Sequence, residues 1–126
     1  MIENKRTGSY KDLDIYQESM DMAVAIYQKS MKLPNHDKFE VGSQIRRSSQ
    51  GIKDAIVEGY GRKRYKNDFV KFLVYSHASS LEALSQADFI NQVHPDCGWD
   101  EILNKLEVLS SKIHRFISYV ENNWRT

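Results

Sequence analysis

The sequence predicts an all-α fold, an antiparallel up-down-up-down four-helix bundle, on three observations. Apolar residues recur at steps of three and four along four separate segments, and the connections between these segments are short. Only two prolines and six glycines occur among 126 residues, which argues against a turn-rich β protein or a low-complexity linker. The length suits one domain over 1–126, with an ordered core from about residue 10 to 122, since single domains usually hold roughly 100 to 200 residues. A chain of this size buries about two-thirds of the surface its unfolded form exposes, enough to fold without a metal or disulfide staple. Its single cysteine, Cys97, has no internal disulfide partner, and no apolar run approaches a membrane span or a secretion signal. The expected compartment is the reducing cytoplasm, with no membrane association.

Leu13, Tyr16, Met20, Ala23, Tyr27 and Met31 place one apolar stripe on the first helix. Asp12 or Asp14 is the candidate cap at its start, and Pro34 stops it near Leu33 because the ring lacks a donor and disfavours helix in the preceding residue. Ile15, Met22 and Ile26 lie off that stripe, which leaves a second face for either a wide core stripe or an oligomer contact. After a polar Asn35-His36-Asp37 turn, Phe39, Val41, Ile45, Ile52 and Ile56 mark a second helix to about Tyr60. Ser48, Ser49 and Gly51 put small side chains in its middle, so another backbone can come close, at about 1 kcal/mol for the mid-helix glycine. Gly59 and Gly61 supply positions tolerant of left-handed backbone at its end, and Arg62-Lys63-Arg64 makes an exposed turn.

A third helix starts near Asn67. Phe69, Leu73, Ser76, Ser80, Leu84 and Ala87 form one line on it, with Val70, Val74, His77 and Leu81 beside them, so broad burial is expected until Pro95 ends the segment. The fourth helix has the cleanest pattern. Trp99, Ile102, Leu106, Leu109, Ile113, Phe116 and Val120 alternate steps of three and four, a heptad seam that favours nearly parallel packing within a bundle or across subunits.

Charge is informative in its distribution rather than its total. Eighteen Lys and Arg against 17 Asp and Glu give a net of +1. Between Gln44 and Lys71, however, eight basic residues face three acidic ones, a local net of +5 that leaves −4 for the remainder. Such a balance argues against a generic polycation and leaves room for a local site that binds an anionic partner. Two readings compete for Arg46 and Arg47. As structural ion pairs they would meet Glu82, which antiparallel pairing about the 61–66 turn brings to their level, and set bundle register. As binding residues they would hold phosphate. Arg62, Lys63, Arg64 and Lys66 sit at a turn, where long cationic chains are free to reach nucleic acid, and Tyr60 and Tyr65 flank them as candidate stacking platforms. The competing reading is a solvated turn with tyrosines closing the bundle end.

Catalysis has little support in the residues. The chain lacks a glycine-rich phosphate loop with its lysine, a nucleophile elbow, paired thiolate spacing and the Glu-x-x-His pair of di-iron bundles. His77 and His114 fall within about one helical turn of each other in the expected hairpin, but two histidines lack the third and fourth ligands of a typical zinc site. They are expected to line the core or an interface. No cofactor or metal is expected.

Five segments in order resemble a known family: Tyr10 to Gln17, Gln44 to Ser48, Glu58 to Arg62, Asp68 to Leu73 and Ser79 to Leu84. They are similar to the four-helix-bundle 23S rRNA intervening-sequence proteins, also labelled S23 ribosomal protein, over about Tyr10 to Val120. The chain departs from the family pattern where Lys53 and Ala55 replace a proline and an asparagine often found after the arginine pair, which should straighten the second helix. The resemblance implies a small bacterial bundle that forms ring-like homopentamers, related to accessory proteins of diversity-generating retroelements that bind nucleic acid and a reverse transcriptase through a basic surface. The family name records a gene location inside a ribosomal RNA insertion, and the molecular function of ordinary members is not established.

The expectation is therefore a non-enzymatic homo-oligomeric scaffold. It binds RNA or DNA through Arg62, Lys63, Arg64 and Lys66, with Tyr60, Tyr65, Arg46 and Arg47 as contributors. The alternative is a module that docks a protein partner without nucleic acid.

Overall fold

Four long helices and one single-turn helix account for nearly all of the computed structural model, which describes residues 8–125. The expected domain over 1–126 extends past this range at residues 1–7 and 126, which lie outside the described residues. The helices are α1 (Asp14–Ser30), α2 (Asn35–Phe39), α3 (Val41–Gly61), α4 (Lys66–Val93) and α5 (Asp100–Asn123), with 3-10 turns at Tyr10–Asp12 and Pro95–Cys97. Going round the bundle, α1 packs on α3, α3 on α4, α4 on α5, and α5 closes more lightly on α1. This is the predicted all-α, antiparallel four-helix architecture. Among the described residues, no helix is long and apolar enough to cross a membrane.

The α5 seam is observed as its spacing requires. Trp99, Ile102, Leu106, Leu109, Ile113 and Val120 are buried and Phe116 is partly so. Their opposite numbers are Ile45, Ile52 and Ile56 of α3, Phe69, Leu73, Ala83, Ala87 and Ile90 of α4, and Ile15, Met22 and Ile26 of α1.

On α1 both apolar sets reach the core, unequally. Ile15, Met22 and Ile26, read as the secondary face, are buried; of the expected core stripe Ala23 is buried, Leu13 and Tyr16 pack half-buried against the core, Met20 is half-buried, and Tyr27 and Met31 are exposed. Spacing cannot separate two stripes of similar content on one helix. The aliphatic set lies inside, beside the small buried Ser19 and Ser30, and Tyr27 stays at the surface. The helix also ends at Ser30 rather than near Leu33, in a turn closed by Leu33 N–H donating to the Ser30 carbonyl at 3.2 Å. Neither aspartate caps α1: Leu13 is its N-cap, and Asp12 instead completes a capping box with Ser9 at the preceding 3-10 turn.

Pro34, expected to stop the first helix, instead starts a new one four residues after α1 has ended. The expected Asn35-His36-Asp37 turn is the first part of α2, and Phe39, expected in the core, is exposed at its end. Two contacts hold this short helix. The His94 ring lies 2.5 Å from the Asp37 carboxylate, tying α2 to the end of α4, and Arg46 donates to the Lys38 carbonyl at 3.0 Å.

Arg46 corrects the expected ion pair. Its guanidinium donates to Ser30 Oγ at 2.8 Å and lies 5.9 Å from the Tyr27 ring centroid, so it points to the α1 side of α3, away from Glu82 on α4. Arg47 does share a groove with Glu82, Ser79 and Gln86, but among the described residues neither arginine lies within ion-pair distance of Glu82. The expected register put Glu82 at the right level; a 100° step round the helix decides the side. Arg46→Ala is expected to cost about 1.5–3 kcal/mol in urea unfolding by removing charge-assisted hydrogen bonds, whereas Glu82→Ala should stay within about 0.5 kcal/mol.

Small residues bring α3 and α4 together as predicted. A Cβ on Gly51 would meet Ser79 Oγ at 3.1 Å, and Ser76 Oγ donates to the Ile52 carbonyl at 2.8 Å. Gly59 acts by the same means and not through left-handed backbone: a Cβ there would sit 3.1 Å from Phe72 Cβ and 3.3 Å from the Phe69 carbonyl oxygen. Neither Gly59 nor Gly61 has positive φ; the connection before α5 uses Gly98, at φ 71°. α4 is less buried than expected, with Val74, Tyr75, Leu81, Phe89 and Val93 exposed.

Candidate nucleic-acid interface

Three backbone hydrogen bonds close the short α3–α4 turn. Arg62 N–H donates to the Gly59 carbonyl, Lys63 N–H to Tyr60 and Tyr65 N–H to Arg62, at 2.9–3.1 Å, after which α4 begins at Lys66. The end of α5 braces this turn. Trp124 Nε1 donates to the Lys63 carbonyl at 3.1 Å, and Lys66 Nζ donates to the Glu121 carbonyl at 3.1 Å, placing a cation on the carbonyl-rich C-terminal end of α5. Beneath them Phe69 is fully buried, with edge contacts to Trp124 at 5.1 Å, Phe116 at 6.0 Å and Tyr60 at 6.3 Å between ring centroids. The turn is thus a fixed cap on the core.

The four cations differ in what they can offer. Arg62 is folded back: its Nε lies 2.9 Å from Glu58, a terminal nitrogen 3.9 Å from Asp68, and its guanidinium 4.9 Å from the Phe72 ring centroid. The Lys63 ammonium lies 4.4 Å from the Tyr60 ring centroid. Lys66 is committed to α5. Arg64 is exposed, its guanidinium 5.8 Å from the ring of Tyr65, which is itself 61 % exposed. Among the described residues Arg64 has no ion-pair partner.

Six of the expected residues therefore converge on one end of the bundle: Tyr60, Arg62, Lys63, Arg64, Tyr65 and Lys66. Their roles separate. Tyr65 offers an open ring face beside a cation, whereas Tyr60 is partly buried between Phe69 and the Lys63 ammonium. Arg46 and Arg47 lie elsewhere, since 15 to 16 residues of helix separate them from Arg62 by roughly 24 Å. Arg47 is exposed in the α3–α4 groove, and Arg46 is spent on Ser30 and Lys38.

Trp124 is the contributor that sequence reasoning missed. The alternation of three and four reaches Asn123 after Val120, so Trp124 lies one residue past the seam, where the helix has just ended.

His77 and His114 meet across the α4–α5 seam with ring centroids 5.5 Å apart. Burial chiefly, and the nearby His114 charge secondarily, hold His77 below the ordinary histidine value of 6.5. Among the described residues no group of three or more His, Cys, Asp or Glu is arranged to hold a metal ion.

Residues 11–118 match the family model described as 23S rRNA-intervening sequence protein. No curated protein matches the chain.

Proposed function

The chain belongs to the 23S rRNA-intervening sequence protein family, and from that premise we propose that it is a non-enzymatic, self-associating scaffold that binds nucleic acid at the α3–α4 turn. One observation carries the reading: Arg64 and Tyr65 stand exposed side by side on a turn whose backbone is pinned by Trp124. A cation for phosphate next to an open ring for a base is the pairing that single-strand binders use. Lys63 supplies a second charge, Lys66 and Arg62 add to the local field, and the latter is partly neutralised by Glu58 and Asp68. Arg47 is a peripheral contributor and Arg46 a structural one.

Few cations on one chain bind weakly, so the scaffold works by repetition. Self-association, with a pentameric ring as the favoured form, sets several turns on one assembly and raises avidity without new contacts. Its support is the exposed apolar surface of α1 and the turn after it (Val24, Tyr27, Met31) and of α4 (Tyr75, Leu81, Phe89), α1 and α4 lying diagonally across the bundle. Sedimentation at micromolar concentration should give several times the 14.7 kDa chain mass; a species near that mass contradicts self-association.

The same apolar surface favours a second reading, a module that docks a protein partner and leaves nucleic acid alone. Pull-down from lysate with and without nuclease separates the two. Under the nucleic-acid reading co-purifying material is lost on nuclease treatment, and under the protein-docking reading it persists.

A further inference from the structure

We propose that His77 and His114 form a two-imidazole site for a divalent transition metal of the zinc and nickel class, on the α4–α5 seam. The observation is the distance between the rings. Two imidazoles on one tetrahedral ion, each bound at about 2.0–2.1 Å, place their centroids roughly 5–5.5 Å apart. The observed separation is 5.5 Å, with the ring planes tilted by 45°.

The support under the pair is rigid. Both histidines stand on long helices, and one turn along the seam Ser80 Oγ donates to Ser110 Oγ at 3.1 Å, both residues being buried. That contact fixes the separation of α4 and α5 directly beside the rings, so chelation needs side-chain rotation and no backbone shift. Neither ring is otherwise engaged. His94 spends its ring on Asp37, but among the described residues neither His77 nor His114 has a side-chain hydrogen-bond partner. His114 is exposed and His77 half-buried, which leaves an open approach and solvent for the remaining coordination positions. Imidazole binds metal in its neutral form, the form that burial favours for His77.

With two protein ligands, and among the described residues no carboxylate or carbonyl hydrogen-bonded to either ring, this is an exchangeable site and not a structural zinc centre. It is independent of the basic turn, because it lies on the seam between α4 and α5 and uses none of the turn's residues. Its softer nitrogen donors select zinc, nickel or copper over magnesium or calcium.

The test is calorimetric titration of tag-free full-length chain with zinc chloride, and separately nickel chloride, at pH 7.5. One site per chain is expected, and His114→Ala should weaken it at least tenfold because one imidazole cannot chelate. Since His114 is exposed, that variant keeps its fold, which circular dichroism verifies. His36→Ala, at a different end of the molecule, should bind as the parent does. Equal binding by His114→Ala and the parent, or no heat from the parent at millimolar zinc, overturns the proposal. Neither outcome bears on nucleic-acid binding.

Discussion

Converting Lys63 and Arg64 to glutamate is expected to weaken binding of single-stranded RNA at least tenfold at about 50 mM salt, while leaving the unfolding free energy within about 0.5 kcal/mol. The asymmetry follows from where these side chains lie. Arg64 is exposed and has no ion-pair partner among the described residues, and Lys63 meets only a tyrosine ring through its ammonium, so reversing them breaks little. Adding Arg62→Glu should weaken binding further and also cost up to about 1 kcal/mol of stability, because it replaces a cation held between Glu58 and Asp68 with a third carboxylate. The check is fluorescence anisotropy with a labelled oligonucleotide, paired with urea unfolding. Should the triple variant bind as well as the parent at low salt, the turn is a solvated cap and the proposed function fails.

Truncating Phe69 to alanine is expected to have the largest effect on stability, about 3–5 kcal/mol. The ring is fully buried and lies against Tyr60, Phe116 and Trp124, so its loss leaves a cavity where α3, α4 and α5 meet the turn. These neighbours are aromatic and held in edge contact, and collapse into the space would break three arrangements at once. Equilibrium urea unfolding gives the cost directly. A loss below about 1 kcal/mol would mean that this end of the bundle repacks freely and that Phe69 does not fix the turn.

The legibility of this fold in the sequence varied with the kind of information each element carries. The α5 seam is readable residue by residue because its apolar residues hold one unbroken alternation of three and four from Trp99 to Val120, which the other apolar residues of the helix do not share. On α1 two apolar sets compete, and the choice between Ile15, Met22 and Ile26 and the tyrosine stripe is made by neighbours that the sequence does not place. Arg46 illustrates the same limit: antiparallel pairing located Glu82 at its level, but the side chain turned to Ser30 and Lys38 on the other flank. Gly59 was recognised as significant for the wrong reason, since close approach of Phe69 and Phe72, rather than backbone handedness, requires it.

The candidate site was legible in position and less so in roles. A run of cations at a bundle-end turn identifies itself by composition, and all four do gather there. Which of them is free depends on carboxylates and rings brought in by the fold. Glu58 and Asp68 restrain Arg62, the α5 terminus takes Lys66, and Tyr60 turns toward Phe69, leaving Arg64 and Tyr65 facing outward. Trp124, just past the end of α5 and one residue off its pattern, is what gives that pair a fixed base.

Sequence-independent contact with phosphate at the α3–α4 turn is measured most directly by the salt dependence of binding. Affinity of the assembled protein for two unrelated single-stranded RNAs should fall linearly on a log–log plot against salt. The slope should be about 0.7 per phosphate contact, nearly equal for the two sequences, and smaller when Lys63 and Arg64 are replaced. No binding at low salt, or binding that is indifferent to salt and to these two residues, would contradict it.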